Sequence, residues 1–373
     1  MSDQDKKISS KELMKSVIQR VATGPELSKN ISREEARDTM NAILNRDVSD
    51  IRSAIFLIAL RMKRETKDEN LGVQDAMNEN VIQINSSVND VINIADPYDG
   101  YTRNIPSSLY LLPVLAELGL PSFSQGVHTV GPKYGCTHHQ ILKLLGLDVT
   151  AKSEEVLSRL ENKEIGWGYI DQSIFSPKLY GLMDLRSEII KRPVITTIEV
   201  LANPIKAKKT HFVTGYVHKP YPPIYLMLAR NADFDSSIVI RGTEGGIVPS
   251  LRQRANAHFY RDKNDADQVI EIEPNADLNL IQDVRAVKIP DSIQKTKKID
   301  KIETKVNPEE IAKESLKLGI SALEGEKGPM RDCIALSATL ILQHVTGNSV
   351  KDCFKEVNNI LDSGSVLKRF KQV

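Results

Sequence analysis

Two polar loops carry the residues best suited to chemistry. The first, ADPYDGYTRNIPS over 95–107, holds Asp96, Asp99 and Gly100, with Arg103, Asn104 and Ser107 behind them. Carboxylates at this spacing suit a cation or a sugar hydroxyl. They suit equally a plain turn in which Pro97, Asp99 and Gly100 supply the bends. The second, SQGVHTVGPKYGCT over 124–137, brings Gly126, His128, Thr129, Lys133 and Gly135 ahead of Thr137. Glycines bare backbone N–H groups, Lys133 adds a compact positive charge, and the helix that follows offers its N-terminus, a combination that suits an anion. The alternative is a surface connection with ordinary turn glycines. His138 and His139 are adjacent, so on a helix they point about 100° apart and make poor joint metal ligands. Neither is assigned a metal. No dinucleotide fingerprint, phosphate-binding P-loop or G-x-S-x-G elbow is present, so no cofactor is expected.

Further cations lie downstream. Arg186 and Arg192 flank a helix end, where they can reach into a cleft or merely pair with Asp184 or Glu188 at the surface. Lys206, Lys208 and Lys209, with Arg252 and Arg254, Arg261 and the Lys-rich run 295–305, suit a basic margin for nucleic-acid phosphates. Lys-rich loops also serve only to solubilise. With 50 Lys and Arg against 49 Asp and Glu, the net charge of +1 gives no global argument for nucleic acid, although a local groove is invisible in that sum. Three cysteines cannot all pair, which points to a reducing compartment and a cytoplasmic location. The N-terminus MSDQDKKISS lacks a signal-peptide apolar run, and no stretch approaches a membrane span.

The elements that must position these residues fall into two groups. Residues 1–88 read as a small helical domain, completed by hinge helices about 178–202. Its helices span 11–21, roughly 32–43, 48–64 and 67–78, with Ser9 or Ser10, Ser32 and Ser49 as caps and Glu35 completing a capping box with Ser32. Residues 89–373 alternate strands and helices. Strands are predicted at 91–95, 121–124, 165–170, 211–216, 237–241 and 268–272. Helices are predicted at 107–118, 137–145, 153–161, 177–190, 222–231, 308–318, 331–344 and 350–361. Residues 252–265 read as a surface loop or hairpin, and 291–305 as an exposed connection. This pattern specifies an α/β fold with a mixed, mostly parallel sheet.

The chain resembles the anthranilate phosphoribosyltransferase family, related in fold to the pyrimidine nucleoside phosphorylases. ISREEARDTMNAILNRDVSDIRSAIFLIALRMKRET is similar to the family's helical domain, and LRSEIIKRPVITTIEVLANP to its hinge. EGEKGPMRDCIALSATLILQHVTG and LDSGSVLKRF are similar to its C-terminal helices. The resemblance implies Arg186 as the substrate-contacting arginine and a homodimer through the helical domain. The chain departs from the family's catalytic pattern. ADPYDG stands where the family has glycine-threonine-glycine-glycine-aspartate, and Pro97 and Tyr98 put side chains where backbone should approach a pyrophosphate. The family's lysine-histidine-glycine-asparagine-arginine loop appears as Ser124 to His128. Ile247, Val248 and Pro249 replace the aspartate-glutamate pair that holds magnesium. Gly100, Arg103 and Pro106, with Arg241 to Gly245, are similar to a divergent branch, some of whose members resemble nucleic-acid binders.

The resulting expectation is a dimeric phosphoribosyltransferase-like protein without anthranilate transfer. It binds a phosphate-bearing ligand, with single-stranded nucleic acid favoured, through Gly100, Arg103, Asn104, Ser107, Gly126, His128, Thr129, Gly135, Arg186 and Arg192. One alternative is a glycosyltransferase with an altered donor site, in which Asp99 meets the sugar, Lys133 the phosphate, and magnesium is needed. The other is a purely structural homodimer.

Overall fold

The computed structural model describes residues 9–24, 26–293 and 306–372. Four helices come first among the described residues: α1 Ser10–Val21, α2 Arg33–Leu44, α3 Asp50–Lys63 and α4 Lys67–Asn78. Each begins on a hydroxyl cap, Ser9, Ser32, Ser49 or Thr66, and three close capping boxes with Glu12, Glu35 and Glu69. The caps satisfy backbone N–H groups that a helix start leaves orphaned, which is why these short helices begin where they do. Met14, Val17, Met40, Ile43, Phe56 and Leu60 face inward. At Gly72 a Cβ would lie 2.1 Å from the Arg33 carbonyl oxygen, so α2 and α4 meet backbone to backbone.

Among the described residues nine strands follow: β1 Ile84–Asn85, β2 Asp90–Ala95, β3 Ser122–Gly126, β4 Trp167–Asp171, β5 Ile205–Lys206, β6 Lys209–Tyr216, β7 Ser236–Arg241, β8 Ala255–Tyr260 and β9 Gln268–Ile272. Seven form one sheet in the order β4-β3-β2-β6-β7-β8-β9, while β1 and β5 pair separately. The first five run parallel and β8 and β9 are antiparallel. Parallel strands need both faces covered. Alternate residues therefore go to opposite cores: Val213, Ile238 and Ile240 pack under the C-terminal helices Pro308–Leu323, Pro329–Thr346 and Val350–Ser363. Phe212 and Val239 pack against the N-terminal helices and the segment 179–201.

The α/β class, the mostly parallel sheet and the helical N-terminal unit match the expectation. Residues 252–265 differ in part, because they contain β8, and the hairpin lies within the central sheet. Ala255, Ala257 and Phe259 alternate inward, a short period hidden in the sequence by charged flanks. The helix expected over 177–190 is two pieces, Pro177–Tyr180 and Met183–Ile189, interrupted at Gly181 and Leu182. Of the exposed connection expected at 291–305, residues 294–305, and with them Lys295 to Lys305, lie outside the described residues.

His344 links the C-terminal layer to the sheet: its Nε2 lies 2.9 Å from Ser236 Oγ. Burial, with His211 and Arg261 nearby, pushes its pKa down to about 3. The unfolded chain, with His near pH 6.5, binds the extra proton that the folded chain refuses, so stability falls as pH drops through that range. Roughly 2 kcal/mol should be lost by about pH 5. His344→Asn is expected to flatten this acid limb in urea unfolding curves recorded between about pH 7 and pH 5.

Candidate functional site: a cleft with two adjoining cavities

The C-terminal ends of β2, β3, β6 and β7 release the loops that carry most of the polar candidates, as open α/β sheets favour. A cavity of about 190 Å³ lies between Tyr98, Thr196, Tyr216, Tyr221 and Tyr225. Beside it is a larger one of about 630 Å³, lined by Arg103, Lys133, Arg192, Arg241, Arg254 and Arg285 against a single carboxylate, Glu244. The two share Arg192, Val217, His218 and Glu244, so one ligand can span both. Arg241 and Arg285 form no salt bridge among the described residues. Arg254 is shared with Glu271 at 3.2 Å and Glu273 at 2.9 Å on the outer rim.

Glu244 sits at φ +58°, a left-handed conformation rare for a side-chain-bearing residue. Its carboxylate accepts from the Thr102 N–H at 2.8 Å, the Thr102 hydroxyl at 3.0 Å, the Arg103 N–H at 3.0 Å and the Asn104 amide at 3.3 Å. Lys133 Nζ lies 3.7 Å away. Converging N–H groups and a cation make an anion cradle. Here the anion is the chain's own.

Asp99 is engaged in the same way. Lys133 Nζ stands 3.2 Å from it, and Arg192 reaches its Oδ2 through Nε at 3.1 Å and through a closer Nη2. Behind them Asp96 accepts from Tyr101 at 2.8 Å, from Ser108 and from the Ile247 N–H at 3.2 Å, with His138 Nε2 at 3.3 Å. Burial pushes this carboxyl upward, but the hydrogen bond and charge of His138 together with the hydrogen bonds from Ser108 and Tyr101 outweigh it, and its pKa falls below the usual carboxylate range. The Asp96 knot clamps the first loop onto the 242–249 turn. At Gly246 a Cβ would lie 1.8 Å from the Tyr101 hydroxyl, so only glycine fits.

The structure brings Asp99, Lys133, Arg103, Asn104 and Arg192 together and separates other candidates from them. Gly100 and Gly135 do not offer N–H groups to a ligand: Gly100 donates to the Pro97 carbonyl and Gly135 to the Asp99 carbonyl, both at 2.9 Å. Their glycine identity serves contact between the loops, since a Cβ on Gly100 would lie 2.5 Å from the Gly135 carbonyl carbon. Gly126 ends β3 inside the sheet, and Ser107 is buried. His128 and Thr129 line neither cavity. The His128 carbonyl accepts from Thr137 and Gln140, both at 3.0 Å, and its ring meets the edge of His139. Arg186 lines neither cavity: both its terminal nitrogens bond Glu199, at 2.7 and 2.6 Å, and the pair is buried.

Lys206, Lys208 and Lys209 precede or open β6, whereas the cavities meet its end at Tyr216. The strand separates them by roughly 23 Å. Lys206 bonds Asp233 and Lys208 bonds Asn89. Arg252 lies outside the cavity lining, and only Arg254 of the expected margin contributes. Sequence reasoning missed Arg241, Arg285, His218 and Tyr221. Arg241 had a visible signal, a cation closing the apolar strand SSIVIR; Arg285 had none.

Residues 15–81 match the model of the glycosyl transferase family helical bundle domain. An uncharacterized protein of Aquifex aeolicus is 32% identical over 275 residues, 72% of this chain and 80% of that one. The anthranilate phosphoribosyltransferase of the same organism is 24% identical over 360 residues, covering 96% of each chain. The chain belongs to the anthranilate phosphoribosyltransferase family. In fold it is similar to the Thermus thermophilus anthranilate phosphoribosyltransferase, with a TM-score of 0.69 at 20% identity over 96% of this chain and 98% of that one. The Saccharomyces cerevisiae anthranilate phosphoribosyltransferase in complex with PRPP and Mg gives 0.71 at 14% identity, covering 95% of each. The residues of this family member do not fit a magnesium ion. Ile247 and Val248 are buried and apolar where the family resemblance places acids, and the nearby Asp99 and Glu244 are bound to cations and N–H groups. Among the described residues no group of three or more His, Cys, Asp or Glu converges as metal ligands.

Proposed function

We propose that this family member binds single-stranded nucleic acid through its phosphates at the cleft and does not transfer a phosphoribosyl group to anthranilate. The observation that carries this reading is the division of charge. The cradles near the first loop and the hinge are filled by the chain's own carboxylates, Glu244, Asp99 and Glu199. The adjoining cavity is lined by six cationic side chains and one carboxylate, and two of the six, Arg241 and Arg285, form no salt bridge among the described residues. A diphosphate entering the cradle would have to expel Glu244 from the Thr102, Arg103 and Asn104 donors and break the ion pairs of Asp99. A strand laid along Arg241 and Arg285 displaces water and counterions there, and competes with Glu271 and Glu273 only for the rim residue Arg254, which makes binding favourable and salt-dependent. Fluorescence anisotropy of a labelled twelve-nucleotide strand of mixed sequence tests this reading. Saturable binding at low salt is expected, and a flat titration removes the reading.

We infer a homodimer built on the helical unit. Ile51, Ile55, Ile58 and Met62 line one side of α3, and Ile51 and Met62 are about three-quarters exposed, which is unusual for large apolar groups unless covered. Ile55→Glu combined with Met62→Glu is expected to halve the mass seen by light scattering, with unchanged helical circular dichroism. No helix of the described residues is long and apolar enough to cross a membrane. Three buried free thiols suit a reducing cytoplasmic setting.

A further inference from the structure

We propose that the smaller cavity is the seat for one unstacked nucleobase, a neutral planar ring whose phosphate lies in the larger cavity; this rests on the nucleic-acid reading above. Tyr221 and Tyr225 stand one turn apart on the helix Tyr221–Asn231, so their rings share a face. Their centroids are 6.0 Å apart, and the His218 ring continues the series 6.3 Å from Tyr221. Such a series along a backbone-tracking basic surface is the arrangement on which bases stack. Pro97 and Val200 give the cavity apolar wall, and Thr197 lies in its lining, while the Thr214 hydroxyl is spent on the Ala95 carbonyl at 2.9 Å. At about 190 Å³ it has room for one ring system and not for a nucleoside with its phosphates.

The charges at this cavity favour a neutral ring over an aromatic acid. Arg192 is held by Asp99, and Arg61, whose Nη1 donates to the Tyr221 hydroxyl at 3.0 Å, keeps its charge, so two cations face the two carboxylates Asp99 and Glu244 and the lining has no net positive charge. Arg186, the cation that the hinge would otherwise present, is taken by Glu199. Asp99 and Glu244 also line the cavity and oppose an entering carboxylate. The cationic groups begin beyond the shared residues, in the larger cavity, where Arg241 and Arg285 stand. His218 lines both cavities, so the ring series reaches the point where the strand's backbone passes.

The test compares a labelled single strand with a strand of equal length and charge made of abasic residues, on wild-type protein, Tyr221→Leu and Tyr221→Phe. Tyr221→Leu is expected to weaken the base-containing strand roughly tenfold and to leave the abasic strand unchanged. Tyr221→Phe keeps the ring and should bind both strands as wild type does. Equal affinity of Tyr221→Leu and wild type for the base-containing strand overturns the proposal, and so does an equal loss on both strands. Should neither strand bind wild-type protein, the nucleic-acid reading fails, and the seat is tested alone with uridine monophosphate by saturation-transfer NMR. Ring signals present with wild type and lost in Tyr221→Leu uphold the seat, and their absence with wild type overturns it. Matching thermal midpoints of the variants show that they are folded.

Discussion

The triple variant Arg241→Ala, Arg254→Ala, Arg285→Ala is expected to bind a single strand a hundredfold or more weakly than wild type at moderate salt, roughly tenfold for each of Arg241 and Arg285. Arg254 should count for less, because it is exposed and shares its charge with Glu271 and Glu273. The slope of log K against log salt should also fall, by about one for each phosphate that is no longer neutralised. The control is Lys206→Ala with Lys209→Ala. These cations lie at the opposite end of β6 and should change affinity by less than about twofold. Anisotropy titrations at several salt concentrations measure both quantities. If the lysine pair matters as much as the arginines, the bound strand lies outside the cleft.

Glu199→Ala should cost the fold about 3–5 kcal/mol, more than any other substitution proposed for this protein. The substitution leaves the Arg186 guanidinium buried with its charge uncompensated, since Glu199 supplies both of its short bonds. Gln172 Nε2, 3.2 Å from Glu199, loses its acceptor as well. Replacing both partners by apolar residues, Arg186→Met with Glu199→Leu, should recover much of the loss, because the desolvation penalty disappears with the charges. Urea midpoints give the comparison. A loss below about 1 kcal/mol for Glu199→Ala would mean that Arg186 reaches solvent. It would then be available to a ligand, contrary to a hinge closed by its own ion pair.

The parts of the molecule legible in the sequence are those fixed by near neighbours. Ser32 with Glu35 reads as a capping box because the bond spans three residues, and 91–95 reads as a buried strand because its run is apolar. The candidate site was legible in residue type more than in role. Asp99 and Lys133 do meet, yet as partners of each other. Gly100 and Gly135 looked like anion-binding glycines, and they serve a close backbone approach between two loops that no local pattern reveals. Glu244 stood in the sequence only as part of the segment Arg241 to Gly245, with no role of its own. Its work is to fill a cradle on a loop about 140 residues earlier, a pairing set by the sheet order and not by sequence spacing. The direction of β6 likewise decided that Lys206 to Lys209 fall away from the cleft while Tyr216 reaches it.

The measurement that tests the central claim most directly is a salt titration of wild-type protein with a labelled single strand, repeated with phosphoribosyl pyrophosphate as competitor, with and without magnesium. Binding is expected to weaken steeply as salt rises, and the competitor is expected not to displace the strand beyond its effect on ionic strength. Displacement by a low competitor concentration, only with magnesium, would contradict the claim: Glu244 and Asp99 would then yield to a diphosphate, and the cleft would be a working donor site.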